Sequence, residues 1–214
     1  MAQIVTHIRF ALDLADYLSV SDMVKYLSGT LYPDSRYLTR VERQLTHPDG
    51  FLSNGSFLLN DFNKGWYVHL LCDFAQNETI RKELPQVCVG EVEQYSEQWY
   101  TLTAVKVIQN IRDAQSCNVG KYLACFDYVA NPNGENVDLL LQYYHLFKST
   151  FVEHPVISIG YDAAIWDQLS GSGVAQKIEL QVRQLLADKQ SVTAINGLYD
   201  AMLTRARAIL HRPH

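Results

Sequence analysis

The chain has 214 residues, of which 48% are hydrophobic and 19% charged, and a formal net charge of −5. That length can bury one substantial core, and the acidic balance excludes the basic footprint that double-stranded nucleic acid requires. The four cysteines, Cys72, Cys88, Cys117 and Cys125, make no CxxC pair and read as free thiols.

The N-terminal stretch MAQIVTHIRFALDLADYL is amphipathic and carries Asp13 and Asp16. It lacks the basic n-region and uninterrupted apolar run of a signal peptide. No run approaches the ~18 apolar residues that make a spanning helix, so the expected location is the cytoplasm. Helical periodicity dominates from there on. It predicts helices from Ile4 to Leu18, from Ser21 to Leu31 (ended by Pro33), and from Arg36 to Thr46, stopping before His47-Pro48. The loop PDGFLSNG (48–55) follows, then a long helix from Ser56 to Gln76 and a short one from Glu78 to Leu84. Further helices are expected at 91–113, 119–130, 136–151, 161–169, 173–188 and 191–211, with HPVISIG (154–160) as a short extended alternative. The expectation is a single all-α domain over 1–214. Chemistry sits in about residues 1–80, and 81–214 completes the bundle.

Placed at 100° per residue, His7 falls at the centre of a face made by Ile4, Phe10, Ala11, Leu14 and Leu18, opposite Arg9, Asp13 and Asp16. On the long helix Asn60 and Lys64 mark the solvent side. His69 and Asp73 lie opposite, one turn apart, grouped with Leu58, Phe62 and Gly65. A single buried histidine is ordinarily a hydrogen-bonded core residue. A buried aspartate is costlier and needs a cation or several donors. The neighbours of Asp73 on its own helix face are His69 and Asn77, so no Lys or Arg lies one turn away. Two readings stay open, a metal-ligand pair and a neutral His–Asp couple. Asp34, after Pro33, reads alone as an N-cap, and His47 reads alone as a loop histidine. Together these residues put three His and two Asp in the first third of the chain, a sulfur-free donor set that suits Zn, Fe or Mn.

Other residues could meet a substrate. Arg36, Arg40 and Arg43, spaced i, i+4, i+7, could grip phosphate oxygens, or be the solvated face opposite Leu38, Val41 and Leu45. Arg43, one turn before His47, is the best placed. Asp61 reads either as a general base or outer support of the site, or as a helix-surface acid. Tyr32 and Tyr37 flank Asp34 and could line a pocket. Cys72 reads as packing, and His145 as a core histidine or a late metal ligand.

The pieces THIRFALDL, LSGTLYPDSRY, LTHPDG and GWYVHLLCD, in that order over residues 1–76, resemble the zinc-dependent phospholipase C family and its nuclease relatives. The resemblance implies an all-α fold in which Asp34, His47, His69 and Asp73 hold one zinc. Asp73 would also bridge toward a second metal bound with the help of His7. The sequence departs from the family in two places. The family's processed N-terminal ligand has no counterpart without a signal peptide. The late HxxxE is missing, since His145 is followed by Ser149 and His154 by Ser158. One Zn2+, or two, is expected, with Fe or Mn compatible. The expected activity is metal-dependent hydrolysis of a small phosphorylated or phospholipid-like ester, with Asp73, Asp34 or Asp61 orienting the nucleophile and Arg43, Arg36 and Tyr37 on the substrate. An HD-type phosphohydrolase is an alternative, weakened because none of the seven histidines is followed by Asp. A non-catalytic helical binding or scaffold protein with a structural or vestigial metal site is the other.

Overall fold

The computed structural model describes residues 4–53, 59–87, 92–153 and 158–211. Its regular elements are all helical among the described residues. They are α1 (Ile4–Leu14), α2 (Met23–Leu31), α3 (Arg36–Thr39), α4 (Arg43–Thr46), α5 (Asp61–Glu83), α6 (Glu97–Ser116), α7 (Val137–Glu153), α8 (Ile159–Ser170), α9 (Val174–Ala187) and α10 (Lys189–Leu210). Short 3-10 stretches at Tyr32–Ser35, Phe51–Ser53 and Val119–Asp127 join them. The all-α expectation holds.

Local chemistry starts these helices where they start. Asp22 caps α2 by accepting from the Lys25 amide, Asn60 caps α5 through the Asn63 amide, and Ser96 caps α6 through the Trp99 amide. Helix α5 runs unbroken past Gln76, where the sequence suggested two helices, because Gln76, Thr79 and Ile80 continue its buried face. The first helix is shorter than expected. It gives way at Leu14 to a turn that reverses at Ser19, a residue in the left-handed region (φ 49°). The expected helix over 119–130 is a 3-10 stretch ending at Asp127. Of HPVISIG, 154–157 lie outside the described residues, while Ile159 and Gly160 open α8. Cys88 also lies outside them, and Cys72, Cys117 and Cys125 are free and buried.

Two apolar clusters make the core. One gathers α1, α2, the first part of α5, the 119–127 stretch and α7 with Ile165 and Leu169 of α8 and the C-terminal half of α10, and the other gathers the end of α5 with α6, α9, Trp166 of α8 and the N-terminal half of α10. What positions the chemistry is the crossing of α2 over α5. A Cβ added at Gly29 would strike the Phe62 carbonyl, and one added at Gly65 would strike the Tyr26 carbonyl. The two backbones therefore touch, which only glycine permits. This crossing carries the 32–35 turn onto the face of α5 that bears His69.

Candidate metal centre

The site is assembled from four chain segments. His7 comes from α1, Asp34 from the 3-10 turn after α2, His47 from the end of α4, and His69 and Asp73 from α5. Nε2 of His7 lies 3.5 Å from Asp73 Oδ1, and Nε2 of His47 and of His69 each lie 3.7 Å from Asp73 Oδ2. One donor atom each from Asp34, His47 and His69 fall within 4.8 Å of one another, and so do those of His7, His69 and Asp73. The His7 and His69 rings stack with centroids 4.1 Å apart, and His47 meets His69 edge-on at 5.3 Å. A tetrahedral zinc with bonds of about 2.1 Å spaces its donors by about 3.4 Å. The His47 and His69 nitrogens stand 3.7 Å from Asp73 Oδ2, a few tenths of an ångström beyond that spacing, and the donors within each group lie up to 4.8 Å apart.

The outer partners select the right tautomers. The Thr30 carbonyl lies 2.8 Å from His69 Nδ1 and can only accept, so Nδ1 carries the proton and Nε2 presents a lone pair. Thr46 Oγ1 stands 2.9 Å from His47 Nδ1 and also contacts the Arg43 carbonyl, so it donates to Arg43 and accepts from His47. His69 Nε2 and Asp73 Oδ1 are buried without a hydrogen-bond partner in the described structure. Leaving such groups unmet is costly, and a cation between them would satisfy both.

Burial sets most of the electrostatics. It holds His47 at about 4 and His69 at about 3, so both imidazoles are neutral and able to ligate at neutral pH. At Asp34 burial favours the neutral acid, but neighbouring positive charges, among them His69 and His47 once both are protonated at low pH, outweigh it and hold the carboxyl at about 2. At Asp73 burial is likewise overcome, here by His7, by the Lys106 ammonium and by His69. His7 moves the other way. Burial opposes its charge, yet Cys72 and Asp73 lift it well above the ordinary imidazole value.

Solvent reaches this cluster past one residue. Asp73 is 20% exposed, whereas His69, Asp34 and His47 are 1%, 4% and 7% exposed. Asp73 and His47 face a cleft of about 460 Å³ whose other walls include Arg43, Phe51, Phe74 and Asn77. That volume suits a small-molecule ligand.

Several expected residues lie elsewhere. Asp61 is buried at the start of α5, about 12 Å along the helix from His69. It accepts from the Ser21 amide, the Ser21 hydroxyl, the Asp22 amide and Lys64 Nζ, at 3.1, 2.7, 2.7 and 2.9 Å. Its lone pairs are spent on anchoring the start of α2, and it is neither a general base nor a surface acid. The three arginines do not share a helix face, because the chain breaks at Arg40 in the left-handed region (φ 61°). Of the three only Arg43 lines the metal-side cleft. Arg36 donates to Tyr37 Oη at 2.6 Å, and both line a separate cavity of about 580 Å³ with Arg40, Tyr95 and Asp167. Tyr32 bonds Glu135 and Asn133 in the interior, and His145 is exposed, not core.

Sequence reasoning missed Lys106 on α6, which is 8% exposed and acts on Asp73. Its signal was a lone lysine in the apolar run TLTAVKVIQN. The apolar cleft residues Phe51 and Phe74 carried no signal beyond hydrophobicity. Comparison with known proteins yields no matching family model, no matching curated protein and no matching solved structure.

Proposed function

We propose that the chain is a metal-dependent hydrolase of phosphate esters. The observation that carries this reading is a pair of overlapping donor groups, Asp34 with His47 and His69, and His7 with His69 and Asp73, with His69 Nε2 lacking a hydrogen-bond partner in the described structure. The neutral imidazole nitrogens of His47 and His69 with carboxylate oxygens, beside a Cys72 thiol kept protonated by burial, are the donor chemistry of a zinc-type ion. The order of the motifs resembles the zinc-dependent phospholipase C family, which points the same way.

When bound, such an ion supplies Lewis acidity and brings the pKa of water at the site down to about 7. The chain's own residues account for the rest. Thr30 and Thr46 fix the imidazoles through their Nδ1 atoms, keeping both Nε2 lone pairs aimed inward. Asp73, the one partly exposed member, faces the cleft and orients the attacking water. Arg43 at the rim offers paired N–H groups to the phosphate oxygens. Phe51 and Phe74 hold the apolar part of the ester and exclude water from it.

Elemental analysis of the purified chain, combined with turnover of bis-p-nitrophenyl phosphate before and after chelation, tests the reading. We expect zinc-type metal in the protein and chelator-sensitive hydrolysis that Zn2+ restores. A wild-type chain that takes up no metal would overturn the metal site, and metal without turnover would overturn the hydrolase.

A further inference from the structure

The cavity of about 580 Å³ shares no lining residue with the metal-side cleft. Its walls come from α3 and the turn after it, from the residues before α6, and from the end of α8. Two arginines line it, Arg36 and Arg40, against one carboxylate, Asp167. Neither arginine pairs with a carboxylate among the described residues. Asp167 is tied elsewhere, its Oδ1 accepting from the Ala175 amide of α9 at 2.9 Å.

Three donor groups border this space with bonding capacity to spare. The one acceptor that the Arg36 guanidinium meets among the described residues is Tyr37 Oη, at 2.6 Å, and its Nε is buried with none. A guanidinium carries five N–H groups, so most of them remain unmet. The Tyr37 hydroxyl accepts that bond, and burial pushes its pKa up, so it keeps a proton to give. Arg40 follows one turn later, its amide donating to the Arg36 carbonyl at 2.9 Å, and its side chain has no acceptor in the described structure. Its backbone is left-handed at φ 61°, as is that of Tyr95 at φ 67°. Of the three non-glycine residues with such angles among those described, these two border the cavity. Glycine would make either turn at less cost, and strain of this kind gathers where a side chain is needed for function.

We propose that this cavity binds a phosphate monoester. Arg36, Arg40 and Tyr37 offer separate donors to the three terminal oxygens of its phosphate, where a carboxylate has two. The organic part packs beside Tyr95, which is 44% exposed. Ring contacts run unbroken from Tyr37 to Trp166 (6.3 Å), Trp166 to Trp99 (5.2 Å) and Trp99 to Tyr95 (5.1 Å), so packed indoles fix both cavity tyrosines. The volume suits a small organic ester better than a bare phosphate. The site stands or falls independently of the metal centre.

Calorimetric titration of the full chain with benzylphosphonate, a monoester mimic that hydrolysis cannot cleave, tests this. We expect a binding event that Arg40→Gln weakens about tenfold, with circular dichroism unchanged. Asp167→Asn keeps an acceptor for the Ala175 amide while removing a repelling charge, and should tighten binding about threefold. Phenylacetate, the matching carboxylate, should bind about tenfold more weakly. Inorganic phosphate, lacking the ring beside Tyr95, should bind about fivefold more weakly. Arg43→Gln, on the metal-side cleft, should leave this event unchanged. No saturable binding, or binding that Arg43→Gln weakens and Arg40→Gln does not, would overturn the cavity site. Phenylacetate or inorganic phosphate binding as tightly as benzylphosphonate would overturn the monoester. None of these outcomes alters the metal content on which the hydrolase reading rests.

Discussion

Asp113 on α6 and Asp73 on α5 are both aspartates in helix interiors, and the chain treats them differently. Asp113 accepts from Thr6 Oγ1 and Arg9 Nη1, each at 2.7 Å, and Arg9 lies 3.5 Å over the Tyr199 ring. Those partners come from α1 and, through Tyr199, from α10, so the network ties both helices to α6. Asp73 instead faces three imidazoles at 3.5–3.7 Å, beyond firm hydrogen-bond range, and borders a cleft. A carboxylate saturated by short donors is a structural joint. One held 3.5–3.7 Å from three imidazoles, beside a cleft, keeps lone pairs that no short donor in the described structure uses.

The sharpest way to break this comparison is to neutralise each carboxylate. Asp73→Asn should cut bound metal to less than about a tenth of an equivalent, since it removes a negatively charged donor. Asp113→Asn should leave metal content unchanged, as elemental analysis of both variants would record. Equal loss in the two would erase the distinction. Next comes the frame that brings the segments together. Gly65→Ala drives a methyl group into the Tyr26 carbonyl and should cost about 3 kcal/mol in urea unfolding.

The two aspartates should also differ toward pH. Burial, only partly offset by Thr6 and Arg9, raises Asp113 to about 6 from 3.8. The folded state therefore holds this proton more tightly than the unfolded chain does. That contribution to stability is full below about pH 4 and is lost as pH rises through about 6. Against Asp113→Asn, the wild type should lose about 2 kcal/mol of relative stability between pH 4 and 7 in denaturant titrations. A flat difference would contradict the assigned cause. The smallest expected effect belongs to Thr46→Val. Losing the Oγ1 contact to His47 should weaken metal binding by about tenfold with little change in folding stability, as a competition titration against a zinc chelator would show.

How much of this was legible in the sequence depended on whether the signal was local. The inward facing of His7, His69 and Asp73 follows from helical spacing, and the structure agrees. Asp34 and His47 could be joined to them only through the motif order of a resembling family, because no periodicity links a turn to a distant helix. Asp61 was misread since an acid at a helix start looks the same whether solvent or another helix's amides surround it. The partners that decide it, Ser21 and Asp22, lie 39–40 residues away. The arginine face failed for a different reason. A left-handed residue at Arg40 leaves no trace in composition when it is not glycine. Lys106 was visible as an odd residue in an apolar run, but the group it acts on, Asp73, lies on another helix and left no trace in that run.

The position of Asp73 as the sole partly open member of the cluster bears on exchange as much as on chemistry. Among the described residues, an ion seated behind it would leave past a carboxylate that would itself be a donor, while the rings behind are buried. Uptake and release would then share that path, so chelators would have to wait for that side chain to swing aside. Freshly purified protein should report the metal it met while folding more faithfully than the metal in its final buffer.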